Sequence, residues 1–260
     1  MKWYQIIIPL VAAFFVTNCA VFRPARELEI TPAEKVNKVR DLLSAIKIQN
    51  EPLRNFKGIG NIQIRQKGHL LLDQRVAWIA EKPAKLSFAV LVSGYPAFKL
   101  AMDGKWLYYL EVVGQDTKFG KIAASDPSLE KLISIPIPSS AVISLLAGQI
   151  PMPEFDQAAL LEEKTPPGYV LVLNQRWWGI QQKIYYDPSL SEIRQVDVFH
   201  RSGALKYRAE IESMQRINGF QVPLRLRLLT PDGADCQLDI DRYWTNVDLS
   251  PDVFVLTPPN

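Results

Sequence analysis

Histidine and cysteine are scarce, with two of each in 260 residues. His69 and His200 stand beside turn sequences and in no metal-ligand spacing. Neither H-E-x-x-H nor a zinc-type cysteine cluster occurs, and G-x-S-x-G and phosphate-cradling glycine loops are missing too. Asp239 and Asp241 share a strand face, as solvated acids commonly do. The residues therefore point away from an enzyme and name no metal or cofactor. Cys19 and Cys236 alone argue against a disulfide framework, and Cys236, inside an alternating apolar run, reads as a small buried hydrophobe. A net charge of +3 with scattered basic residues gives no footprint for nucleic acid. Strand-like and helix-like stretches do not alternate, which excludes a nucleotide-binding α/β layout. No internal repeat or low-complexity linker divides the chain.

The one long apolar run is at the start. Lys2 precedes Ile6 to Val16, the pattern of a secretory signal. A membrane-spanning helix needs about 20 apolar residues, more than this run supplies. Val16-Thr17-Asn18-Cys19 resembles the lipobox of bacterial lipoproteins. That resemblance implies that Cys19 becomes the acylated, palmitate-bearing first residue. Ala20, where Asp would retain a lipoprotein in the inner membrane, then implies an outer-membrane address. An ordinary signal peptide with an incidental Cys19 is the other reading. The expected division is a signal over 1–18, a lipidated tether over 19–31 and one domain over 32–260. Three acyl chains would anchor stably, whereas a single chain binds only marginally.

Pro32 to about Ile48 reads as an amphipathic helix, with Val36, Val39, Leu42, Leu43 and Ile46 recurring at helical spacing. From Gly58 the period becomes two. Strands are expected around Ile62 and Ile64, Val76 and Trp78, Leu86 to Val92, Phe98 to Met102 and Trp106 to Leu110. Val113 to Ser125 reads as strand end and loop. Beyond residue 157 the strands resume between turn signals at Asp187-Pro188, Ser202-Gly203, Asn218-Gly219 and Asp232-Gly233, and Val253 to Val255 reads as a last short strand. Asp126 to Pro153 interrupts this series with two short apolar helices. Asp126 is placed to cap the first, starting at Pro127; the second starts at Ser139 or Ser140 and stops at Gly148.

The expected fold is mainly β (α+β): a strongly curved, incomplete antiparallel β-barrel of about eleven strands, with an N-terminal helix and a mid-chain helical lid. Strands near Phe88, Val90, Phe98, Leu100, Trp106 and Tyr108 are apolar on both faces. Either they enclose a greasy interior, or they are central strands between two packed layers. The loop Ser93 to Ala97 presents Gly94, Tyr95 and Pro96, and its tyrosine either anchors in an interface or folds back on the sheet.

Leu132-Ile133-Ser134-Ile135-Pro136-Ile137-Pro138 followed by Leu145-Leu146-Ala147-Gly148-Gln149-Ile150-Pro151 is similar to the apolar helix, M-P-I-P-like link and L-G-x-P helix end of LolB. The chain thus resembles the LolA/LolB superfamily of lipoprotein-localisation proteins, and LolB most. That resemblance implies an outer-membrane lipoprotein, lipid-anchored on the periplasmic face, that accepts acylated lipoproteins from a LolA-like periplasmic carrier and helps insert them among outer-membrane lipids. It also implies that Leu132, Ile133, Ile135, Ile137, Val142, Leu145 and Leu146 join the strand residues as an acyl-chain cavity, and that Tyr95 leads a membrane-insertion loop in a monomeric protein. Tyr95 departs from the family's usual Leu, and the C-terminal strand region is longer. A lipid or glycolipid carrier without insertase activity and a structural envelope module are the alternatives.

Overall fold

The computed structural model describes residues 34–113, 116–164 and 167–258. The expected signal, Cys19, Ala20 and the tether lie outside them. Helix α1 spans Glu34–Ile48. Six strands follow: β1 (Asn55–Gln66), β2 (His69–Glu81), β3 (Lys85–Val92), β4 (Tyr95–Asp103), β5 (Trp106–Val113) and β6 (Asp116–Ala123). The short helices α2 (Glu130–Ile133) and α3 (Ser139–Leu146) come next. Seven more strands complete the chain: β7 (Gln157–Lys164), β8 (Pro167–Gln175), β9 (Gly179–Asp187), β10 (Glu192–Phe199), β11 (Leu205–Ile217), β12 (Phe220–Leu229) and β13 (Ala234–Thr245). Pro251–Phe254, where a last strand was expected, is a 3-10 turn.

All thirteen strands form one antiparallel sheet in the order β6-β5-β4-β3-β2-β1-β13-β12-β11-β10-β9-β8-β7. The chain begins in the middle, meanders to the β6 edge, crosses to the β7 edge through the α2–α3 segment and meanders back to pair β13 with β1. Cross-strand partners share a face, so the register traces one apolar surface. From β5 to β1 it runs Tyr109, Leu100, Phe88, Trp78 and Gly58. Beyond the β1–β13 junction Leu238, Leu226 and Ile211 continue it, and then Val196, Ile184 and Leu171. Gly58 belongs to this row because a Cβ there would stand 2.2 Å from the Trp78 ring. The other face is charged across β11 to β13 and carries a small apolar cluster of Leu161, Val170 and Val172 on β7 and β8. Arg225 pairs with Asp239 and Glu212, Arg227 with Asp235 and Glu210, and Arg75 with Asp241.

The incomplete barrel is not formed. The sheet is open and has thirteen strands instead of about eleven, and β6 and β7 remain as edges without pairing each other. One reason is β6, whose polar sequence reads as loop; Lys118 and Lys121 keep this edge wet. Its Gly120 is covered by the Tyr109 ring across the pair, which supplies the side-chain surface that glycine lacks. The other reason lies over the inner face. Helices α2 and α3 do not cover an empty barrel as a lid: Ile135, Ile137, Ile143 and Leu145 are buried in the main core.

Asp126 also acts differently from expectation. Its Oδ1 accepts from the Ser140 backbone N–H at 2.9 Å and from Ser139 Oγ at 3.0 Å, and its Oδ2 accepts from Ser140 Oγ at 2.8 Å. It therefore caps α3, thirteen residues on, and not the first helix, which begins only at Glu130. The Ser128–Pro138 bridge brings the two starts together. Asp126→Ala should cost about 1–2 kcal/mol, the usual loss of a helix cap. Urea unfolding checks this, and a change within 0.3 kcal/mol would refute the cap's role.

Candidate apolar binding site

Between the inner face and the two short helices lies a cavity of about 70 Å³ lined only by apolar side chains and the Cys236 thiol. Leu129, Leu132 and Ile133 come from α2 and its approach, and Val142 and Leu146 from α3. The floor is Ile62, Trp78, Leu86, Phe88 and Leu100 on one side of the β1–β13 junction, and Leu226, Leu228, Cys236 and Leu238 on the other. Burial pushes the Cys236 thiol up to about 12, with the neighbouring Asp235 charge adding to the effect. The thiol therefore stays neutral at physiological pH and behaves as part of the apolar wall. An engineered cavity of about 150 Å³ holds one benzene. The space thus seats a short piece of an alkyl chain.

The two ends of the helical segment are fixed in different ways. The end of α3 is held by a polar joint: Asn50 Nδ2 donates to Ala147 O at 2.8 Å and to Gln221 O, while Asn50 Oδ1 accepts from the Gln221 backbone N–H at 3.1 Å. Tyr243 Oη donates to Leu146 O at 3.0 Å from the sheet. Lys82 Nζ donates to Asn50 O, Glu51 O and Gln149 Oε1, and burial lowers its pKa against the raising effect of Glu51. At the other end, α2 is a single turn closed by Ser134 at φ 58. The geometry ties α3 directly to the sheet, whereas α2 is held through the approach to α3, Leu129 N–H donating to Ile137 O at 2.9 Å and Ser139 N–H to Pro127 O at 3.0 Å.

A second cavity, about 320 Å³, lies under α1 and is lined by Leu42, Ala45, Ile46, Ile150, Ile193, Ile211 and Met214 together with Gln49, Gln221, Tyr186, Ser191 and Glu192. It is larger and more polar. No group of three or more His, Cys, Asp or Glu side chains is placed to hold a metal ion among the described residues. No helix among them is long and apolar enough to cross a membrane.

No protein-family profile matches the chain. In sequence, 115 residues, 43% of this chain, are 27% identical to NET1-associated nuclear protein 1 of Saccharomyces cerevisiae, and the match spans 13% of that protein's length. In structure, a DUF1329 family protein from Desulfovibrio piger superposes with a TM-score of 0.53 at 13% identity, covering 85% of this chain and 97% of that one. A LolA superfamily protein from Nitrosomonas europaea superposes with a TM-score of 0.50 at 14% identity, again over 85% and 97%. The chain therefore shares its fold with a LolA superfamily protein and with a DUF1329 family protein.

Within this LolA-like fold, Phe88, Leu100, Leu132, Ile133, Val142 and Leu146 meet at the small cavity. Ile135, Ile137 and Leu145 are buried in the surrounding core, and Val90 and Phe98 pack against it half-buried. Trp106 and Tyr108 are elsewhere. Leu100 faces Tyr109, so Tyr108, opposite Ala101, points away from the LolA-like inner surface. Lys121 Nζ lies over both rings, 4.4 Å from that of Trp106 and 5.2 Å from that of Tyr108. Tyr95 is 78% exposed at the start of β4, after a tight turn through Ser93 at φ 50 and Gly94 at φ 85. Sequence reasoning missed Ile62, Trp78, Leu86, Leu226, Leu228, Cys236 and Leu238 as cavity residues. Their alternation was visible, but not the β1–β13 pairing that brings the two halves together.

Proposed function

We propose that this chain is an outer-membrane-anchored acceptor that takes acyl chains of lipoproteins into the space between the sheet and α2–α3 and helps insert them in the membrane. The observation that carries the reading is the exclusively apolar lining of that space, which lies between the sheet and the two short helices. Each methylene removed from water contributes about 0.8 kcal/mol, so acyl chains supply the drive without covalent chemistry. In this reading residues 1–18 are a signal, Cys19 carries the anchor, Ala20 directs it to the periplasmic face of the outer membrane, 19–31 form the tether and 32–260 the acyl-binding domain. A LolA-like carrier delivers the cargo, and Tyr95 touches the target bilayer.

The test loads a periplasmic carrier with an acylated lipoprotein and adds the purified protein. Transfer of the cargo, together with acyl chains co-purifying from cells, is the expected result; neither one occurring contradicts the reading. Tyr95→Asp should lower delivery to liposomes several-fold while changing stability by less than about 0.5 kcal/mol, since the side chain is exposed. Equal delivery by both proteins would remove the loop's role. The mixed polar and apolar cavity under α1 favours a second reading, a lipid or glycolipid carrier. Mass spectrometry of the extracted ligand separates the two, because a free lipid would replace an acylated protein. The third reading, a structural module, is favoured by the small volume of the apolar cavity, which Trp78 and Phe88 help to fill.

A further inference from the structure

The strand directions put six turns at one end of the sheet: β5–β6, β3–β4, β1–β2, β12–β13, β10–β11 and β8–β9. Two of these tips touch, Lys67 N–H donating to Gly233 O at 2.7 Å. The register advances gradually along the strands from the β3–β4 turn to the β8–β9 turn, so the tips follow one oblique line across the sheet. Exposed apolar groups recur along that line. Tyr95 and Val92 flank the β3–β4 turn, Leu70 and Leu71 follow the β1–β2 turn, and Trp177 occupies the β8–β9 turn.

Trp177 is the strongest of these. It is 86% exposed, yet its turn is firmly built. The Arg176 N–H donates to Asp156 Oδ2 at 2.8 Å, the Trp178 N–H donates to Gln175 O at 2.9 Å, and the Arg201 guanidinium covers the Trp178 ring. One indole is pinned and its neighbour is held out in water. Tryptophan and tyrosine in such positions suit the polar–apolar boundary of a bilayer.

We infer that this whole end of the sheet is a membrane-docking edge, with Trp177 a second anchor roughly 40 Å from Tyr95 at about 4.8 Å per strand. The occupant is a lipid surface. Polar turns at Lys67-Gly68, Asp232-Gly233 and Arg201-Ser202-Gly203 separate the apolar points. A protein partner needs a contiguous patch, whereas a bilayer meets separate points along one line. Two distant anchors hold that line of turns along the membrane surface, which one loop cannot do. The inference rests on the acceptor reading for its purpose but is tested apart from it.

The purified full-length protein is mixed with phosphatidylethanolamine–phosphatidylglycerol vesicles, with and without brominated acyl chains, and tryptophan quenching is read. Trp177→Phe should remove at least half of the quenching. Trp106→Phe and Trp244→Phe should leave it unchanged, because both residues sit at the opposite strand ends. No quenching in the parent, or equal quenching in Trp177→Phe, overturns the inference. Acyl-chain co-purification is measured on the same preparations. Quenching through Trp177 without bound acyl chains upholds the edge and removes the acceptor reading; bound acyl chains without that quenching remove the edge alone.

Discussion

Gly148→Ala is expected to destabilise the domain by about 4–7 kcal/mol, with most of the loss arising at one joint. Gly148 follows α3 at φ 68, a left-handed conformation that costs an L side chain about 1–2 kcal/mol. A Cβ there would lie 2.0 Å from the Gln221 carbonyl oxygen and 2.7 Å from Asn50 Nδ2. Backbone on β12 must then shift, which is overpacking of the kind that costs about 1–3 kcal/mol. The same shift pulls apart the Asn50 bonds that tie Ala147 to Gln221, each worth about 1 kcal/mol. Gly203→Ala is the control. Its φ is 82 but nothing lies within 4 Å of the added methyl, so only the conformational cost remains. Urea unfolding of both variants checks the difference, and equal losses would mean that the joint does not tie α3 to the sheet.

Val142→Phe is expected to lower acyl-chain occupancy at least ten-fold while changing stability by no more than about 1.5 kcal/mol. Val142 is half-buried on α3 and lines the small cavity, so a larger ring has space to enter. Atoms that line a void lack dispersion partners on one side, and a ring that fills it supplies them, which offsets the strain of a bigger side chain. Ile193→Phe makes the matching change in the cavity under α1. Extracted lipid quantified by mass spectrometry should fall with Val142→Phe and remain with Ile193→Phe. The reverse pattern would relocate the ligand to the α1 side and favour the carrier of polar-headed lipids.

Much of the architecture was legible in the residues. Period-two runs and Asx-Gly turns located most strands, and the helical spacing of Val39, Leu42, Leu43 and Ile46 located α1. Three features were hidden, each for a physical reason. A wet edge strand such as β6 carries little alternation, because one side of it pairs and the other faces water. Alternation gives a strand's period but not its phase, so Trp106 and Tyr108 looked as suited to the interior as Leu107 and Tyr109. Closure of β13 on β1 joins residues about 180 positions apart, a pairing that no local pattern encodes. The same blindness hid half of the cavity floor and moved the Asp126 cap from α2 to α3.

The central claim is that an acyl chain occupies the space between the sheet and α2–α3. A fatty acid carrying a diazirine at its terminal carbon, photolysed with the full-length protein and mapped by peptide mass spectrometry, tests it most directly. The account predicts label on Leu129 to Leu146 and on Leu226 to Leu238. Label confined to α1 and β10, or none above the background of the Val142→Phe variant, would contradict it.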